Sequence, residues 1–299
     1  MLNIVGHKKI WFTTSIILVG IAVVAIAAFG FQESAELKGG TLWELRVPGQ
    51  TLSAADMQTF FQNDLHVPDA QVTVDNGDQS FLVVFGSINE TVHQQYISEL
   101  TAQWPSFQEL SFQSISPSVG ANLRNNSIIA IILVLIGISL YIAFAFRKAS
   151  RPISSWKYGW ITLMTLFHDV AIPAGMLAIL GHFMNVQLNS DIIVALLVVM
   201  GFSVHDTIVV FDRIRENLLN HRGKMPFATI VNDSVNQTLA RSINTSLTLI
   251  LVLLSLYFVG PADLKYFVLT LLVGVTTGIY SSIFIASPAL VATSRNESV

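Results

Sequence analysis

The sequence predicts an α-helical membrane protein: six transmembrane helices, with one small α+β domain between the first and the second. Three observations carry this. Hydrophobic residues make up 52% of the 299-residue chain and charged residues only 12%, against about 25% charge in a soluble domain. Six segments are apolar over the roughly 20 residues that a bilayer requires: 10–31, 124–146, 158–180, 190–211, 241–259 and 265–291. Between the first two spans lies a long polar stretch, residues 32–123, whose first half is rich in Asp and Glu.

The first span follows Lys8 and Lys9. It exceeds the roughly 7–15 residues of a signal-peptide core, so it reads as an uncleaved helix. Orientation follows from the basic residues. Lys8 and Lys9 precede span one; Arg147, Lys148, Arg151 and Lys157 follow span two; Arg213, Arg215, Arg222 and Lys224 follow span four; Arg295 lies on the tail. The opposite side carries Lys38, Arg46, Arg124 and Lys265, mostly spread over one long segment. Both termini are therefore expected in the cytoplasm and residues 32–123 outside it. Trp11 and Trp156 fall where interfacial anchors belong. A net charge of −3 gives no reason to expect nucleic-acid binding, and the absence of cysteine excludes a disulfide framework, a thiolate metal site and a cysteine nucleophile.

Within the polar stretch, 41–47 has strand composition. Residues 53–65 read as a helix, with Ser53 as N-cap and Asp56 at the third helical position, a variant of the capping box. Residues 71–75 and 81–85 read as strands joined by Asn76-Gly77-Asp78, a strong hairpin signal. A helix over 90–103 and a strand over 107–115 complete the order β-α-β-β-α-β, the ferredoxin-like arrangement. His66 and His93 stand isolated in sequence and suggest surface or structural roles rather than a metal site.

The polar residues inside the spans are few. Asp206 lies in span four, where a carboxylate costs roughly 2.5–3.5 kcal/mol on insertion scales. Ser203, Asp206, Thr207 and Val210 share one helix face, and His205 points about 100° away. Span three carries His168 and Asp169, expected to form a local hydrogen-bond pair, and Pro173, which frees a carbonyl near Asp169. Span five opens with the polar run 236–246, which includes Arg241 and Asn244. Asp206 lies about 9 Å in from the charged end at Asp212-Arg213, and Arg241 about as far from the entry of span five. An Asp206–Arg241 pair at one level lowers the mutual insertion penalty and makes a candidate proton-loading site. Gly274-Val-Thr-Thr-Gly278 has the spacing of close helix packing.

Gly201-Phe-Ser-Val-His-Asp-Thr-Ile-Val-Val-Phe-Asp-Arg-Ile-Arg-Glu-Asn217 resembles the fourth-span signature of the SecF branch of the SecD/SecF protein-export family, within the RND superfamily. Residues 236–246 and 278–288, His168-Asp169 and Gly39-Gly40-Thr41 resemble the same family. His205 stands where that family carries Asn. The resemblance implies an RND-like repeat in the cytoplasmic (inner) membrane of a bacterium. It implies a SecD-like partner, the SecYEG channel, YajC-like and YidC-like subunits, an unfolded preprotein as substrate, and surrounding lipid. It also implies the proton as coupling ion with no other cofactor and no enzymatic activity. By motif position the proton-carrying carboxylate falls on Asp206 and its basic partner on Arg241, with Asp169, His168, His205, Ser203, Thr207 and Asn244 as supporting polar groups. Three other readings stay open on sequence alone. One is a proton-coupled small-molecule exporter of the RND type, another an intramembrane aspartyl protease using Asp169 and Asp206, and the third a scaffold without proton chemistry.

Overall fold

The structure is a computed structural model that describes residues 2–75, 80–146, 154–221 and 225–294. The hairpin turn Asn76-Gly77-Asp78 and the basic residues Arg147, Lys148, Arg151, Arg222, Lys224 and Arg295 lie outside the described residues. The chain forms two compact units. One comprises Met1–Gln32, Ile129–Val186 and Asp191–Val299, the other Glu33–Ile128 with Gln187–Ser190.

The first helix is α1 (Lys8–Phe29). A short α2 (Ala35–Lys38), which the sequence reading lacked, precedes β1 (Gly40–Arg46). Then come α3 (Ala54–Asn63), β2 (Gln71–Asp75), β3 (Ser80–Phe85), α4 (Glu90–Gln103) and β4 (Gln108–Ile115). The chain continues through α5 (Pro117–Ala145), α6 (Ser155–Met184), α7 (Ser190–His221), α8 (Phe227–Val259) and α9 (Lys265–Ser281). A π-helical turn at Ser282–Ala286 joins α9 to α10 (Ser287–Thr293). Six of these helical stretches are long and apolar enough to cross a membrane, the last being Lys265–Thr293 taken as one.

The smaller unit is an antiparallel sheet in the order β2-β3-β1-β4, with β1 central. Strand β3 alternates: Phe81, Val83 and Phe85 are buried, while Leu82 is exposed. These residues, with Trp43 and Leu45 of β1, pack against Met57 and Phe61 of α3 and Leu100 of α4. Ser53 caps α3 as expected, its Oγ accepting from the Asp56 amide at 3.2 Å while Asp56 Oδ2 accepts from the Ser53 amide at 2.9 Å. The Ser53 hydroxyl, and then its backbone amide, hold the Asp56 carboxyl below the usual carboxylate range. Gly39 has φ +83, and a side chain there would also meet Pro117 Cα at 2.4 Å, so only glycine fits before β1.

His93 takes a structural role, one of the two expected of it, although it has close partners in space. It is buried, with Nε2 2.7 Å from Glu109 Oε2 and Nδ1 3.3 Å from Glu90 Oε2, and its ring stacks on Phe112. Trp43 Nε1 donates to the same Glu109 oxygen at 2.9 Å. Sequence spacing hid this because Glu109 comes from β4, sixteen residues on.

In the larger unit, α6, α7 and the last helical stretch are more buried than α1, α5 and α8. Helix α8 begins at Phe227, well before the expected 241. Hydropathy measures only apolar length, whereas α7 and α8 stay paired beyond it through polar contacts. Asn217 Nδ2 donates to Ser234 Oγ at 2.8 Å and to Gln237 Oε1 at 2.9 Å.

The glycines of α9 do what their spacing predicts. A Cβ on Gly274 would lie 2.2 Å from Val199 Cγ2, and one on Gly278 would lie 3.3 Å from Ser203 Cβ. Four residues further along each helix, Thr207 Oγ1 meets Ser282 Oγ at 2.8 Å. Three successive pairs at one constant offset define a parallel seam between α7 and the α9 stretch. Gly274→Ala should therefore lower stability by about 1–3 kcal/mol through overpacking. Gly137→Ala in α5, where an added Cβ meets nothing within 4 Å, should be neutral or slightly stabilising. Thermal unfolding of the two variants in detergent reads the contrast, and equal midpoints would refute the seam.

Candidate functional site

Helix α7 carries an apolar run interrupted by one polar face. Ser203, Asp206, Thr207 and Val210 are all buried, and His205 is exposed on another face, as the helical period requires. Asp206 is 2% exposed. Its Oδ2 accepts a hydrogen bond from Ser246 Oγ of α8 at 3.3 Å.

Asp206 and Arg241 line one cavity of about 160 Å³, together with His205, Val209, Ser242 and Thr245. The level inferred for the two charges thus agrees with the geometry. The direct pair does not form: among the described residues no ion pair joins Arg241 to Asp206. The reason is phase. Thr238, Ser242 and Ser246 are buried at four-residue steps, and they are the face that α8 turns inward. Arg241 stands one residue off that face and is exposed. It also lines a second cavity of about 300 Å³ with Asp212 and Arg215. Asn244 falls between Ser242 and Ser246 on the exposed side and takes no part in the site. Ser242 Oγ is buried without a partner beside the Asp206 cavity. The space is large enough for several waters at ~30 Å³ each.

The most connected carboxylate is Asp169, expected in a local pair with His168 and as a supporting polar group of the site. That pair exists, with His168 Nδ1 2.8 Å from Asp169 Oδ1. Asp169 is also 0% exposed, and its Oδ2 accepts from Ser203 Oγ of α7 at 2.5 Å and from Ser281 Oγ of α9 at 2.6 Å. Pro173 has no amide to give the Asp169 carbonyl, and Thr277 Oγ1 of α9 reaches that oxygen at 3.4 Å. Asp169 therefore ties α6, α7 and α9 together one helical turn from Asp206, since Ser203 and Asp206 are neighbours on α7.

Sequence reasoning missed Ser246, Thr277, Ser281 and Ser282. One signal was available: Gly274, Gly278 and Ser281 follow at steps of four and three, so Ser281 continues the small-residue face of the last span. Among the described residues no hydrogen bond joins Asp169 to Asp206.

The comparisons with known proteins agree with this architecture. The family described as "Protein export membrane protein SecD/SecF, C-terminal" matches residues 95–296. A protein translocase subunit SecF of Thermobaculum terrenum is 40% identical over 98% of this chain and 94% of its own length. A protein translocase subunit SecDF of Thermus thermophilus is 34% identical over 97% of this chain and 38% of its own. The crystal structure of SecDF from that organism, a translocon-associated membrane protein, superposes with a TM-score of 0.81 at 32% identity, covering 98% of this chain and 38% of that one. With a family match over most of its length and a 40%-identical relative along nearly all of it, this multi-pass membrane chain belongs to the SecD/SecF protein-export family.

Proposed function

We propose that the chain is an accessory subunit of the Sec protein translocase that uses the proton gradient to promote export of unfolded preproteins. The carrying observation is Asp206: a carboxylate buried in an apolar helix, lining a small polar cavity with Arg241 yet bound to it by no ion pair. Family membership and the names of the relatives support the export role. The SecDF relative, of which this chain matches only 38%, supports a SecD-like chain as partner. The SecYEG channel, with YajC-like and YidC-like subunits, completes the proposed assembly.

In this reading both termini lie in the cytoplasm of a bacterium and the sheet unit, a ferredoxin-like domain, lies outside. Lys8, Lys9, Lys157, Arg213 and Arg215 support that orientation. An ionised Asp206 attracts Arg241 across the shared cavity, and protonation removes the attraction. The packing of α7 on α8 shifts between the two states. A proton crossing the membrane supplies about 2.3 kcal/mol per 100 mV, enough to bias a two-state element more than tenfold. Helix α7 begins inside the smaller unit, where the Ser190 amide donates to Glu36 Oε2 at 3.1 Å and the Ser34 amide donates to the Leu188 carbonyl at 2.9 Å. Movement of α7 along its axis therefore pulls on the segment that leads into β1.

Asp206→Asn should abolish proton-dependent stimulation of preprotein release in sealed vesicles while leaving the protein folded and in its complex. Normal stimulation would sink the proton role and leave the scaffold reading. Arg241→Met should reduce stimulation severalfold; wild-type behaviour there means that Arg241 only reaches toward the membrane surface. Glu36→Ala tests the link rather than the proton step. Stimulation should fall while accessibility of a cysteine placed at Thr245 still responds to the gradient, and loss of both responses would refute a separate coupling contact.

A further inference from the structure

Helices α1 and α6 run parallel in a fixed register. Phe29 stacks on His182 with ring centroids 4.5 Å apart, and seven residues earlier a Cβ on Gly175 would lie 2.4 Å from Ala22 Cα. Seven residues earlier again, two turns along the same face, stand Ser15 and His168. Both are buried, and both keep a polar atom without a hydrogen-bond partner, Ser15 Oγ and His168 Nε2. A helical serine ordinarily bonds the carbonyl four residues back. For Ser15 that carbonyl is Trp11 O, which instead accepts from Tyr280 Oη at 3.1 Å. The other imidazole nitrogen of His168 is engaged by Asp169.

The same two residues line a cavity of about 600 Å³, within the range of about 300–1,000 Å³ that ligand sites occupy. Its other walls, including Phe12, Val19 and Ile285, are almost wholly apolar. Its rim residues Ile16, Val23, Met164 and Phe167 are exposed on the surface of the helical unit, so an occupant enters sideways from the membrane. Two polar groups can hold one water, since a buried water needs two to four partners. They cannot wet the remaining apolar volume.

We propose that this cavity binds a single-chain, hydroxyl-bearing amphiphile from the bilayer. Its hydroxyl bridges Ser15 Oγ and His168 Nε2, and its hydrocarbon fills the apolar volume. A hydroxyl both donates and accepts, so it satisfies Nε2 in either tautomer of His168 and still pairs with the serine. Because His168 also holds Asp169, occupancy connects membrane composition to the hydrogen-bonded centre of α6, α7 and α9. The proposal is independent of the export reading.

The test uses the full chain in phosphatidylcholine vesicles and a long-chain alcohol carrying a diazirine in its tail. Irradiation should label α1, α6 and the last helical stretch at the cavity walls. Unlabelled hexadecanol should compete about tenfold better than hexadecane at equal mole fraction, the worth of about one hydrogen bond. Ser15→Ala, which should not disturb folding, should erase most of that preference. At Gly20, another lining residue, an added Cβ meets nothing within 4 Å, so Gly20→Leu grows into the cavity and should abolish labelling. Equal competition by alkane and alcohol would mean an apolar void with at most a trapped water and would overturn the proposal. So would labelling that survives Gly20→Leu, or labelling spread evenly over all six apolar helices.

Discussion

The helical unit depends on one buried carboxylate. Asp169 accepts side-chain hydrogen bonds from His168, Ser203 and Ser281, on α6, α7 and α9 respectively. Inside a membrane no water competes for these donors, and a lone carboxylate costs roughly 2.5–3.5 kcal/mol or more. Hydrogen bonds to a charged group contribute about 1.5–3 kcal/mol each, so the two that come from α7 and α9 are together of the size of that penalty, and they form only while those helices hold their places. A centre of this kind specifies register more than it adds net stability. The constant offset between α7 and α9, with Val199 on Gly274, Ser203 on Gly278 and Thr207 on Ser282, is the packing that lets Ser203 and Ser281 reach the same oxygen.

Much of the architecture was legible in the sequence because it depends on local chemistry. Ser53 and Asp56 announce the start of α3 by a reciprocal cap that needs only three residues of spacing. The alternation of Phe81, Val83 and Phe85 fixes which face of β3 is buried. Asp206 stands out by its expense alone. What the sequence concealed depends on partners far along the chain. Asp169 meets Ser203 from 34 residues away and Ser281 from 112, and no periodicity links those positions. Serine compounds the difficulty: in an apolar helix it reads as a neutral small residue, and only the fold shows whether its hydroxyl turns inward.

The same limit explains the Arg241 result. Depth along a helix can be counted from sequence, so Asp206 and Arg241 were placed at one level and do line one cavity. Rotation about the axis cannot be counted from two charges. It follows from the buried steps Thr238, Ser242 and Ser246, which turn a hydroxyl rather than the guanidinium toward Asp206. Asn244 fails for that reason too, since it sits midway between two inward residues and therefore faces out.

That rotation has a consequence for how a proton could act. A serine hydroxyl both donates and accepts, so the Ser246 contact survives in either charge state of Asp206, although it is stronger to the ionised carboxylate. Arg241 only donates and is attracted to Asp206 only when the carboxylate is ionised. In the proposed mechanism Arg241 adds an attraction across the cavity that depends on the charge of Asp206, while the Ser246 contact joins α7 to α8 in both states. A permanent direct pair would forfeit this separation, because each protonation would have to break the contact that also holds the helices together.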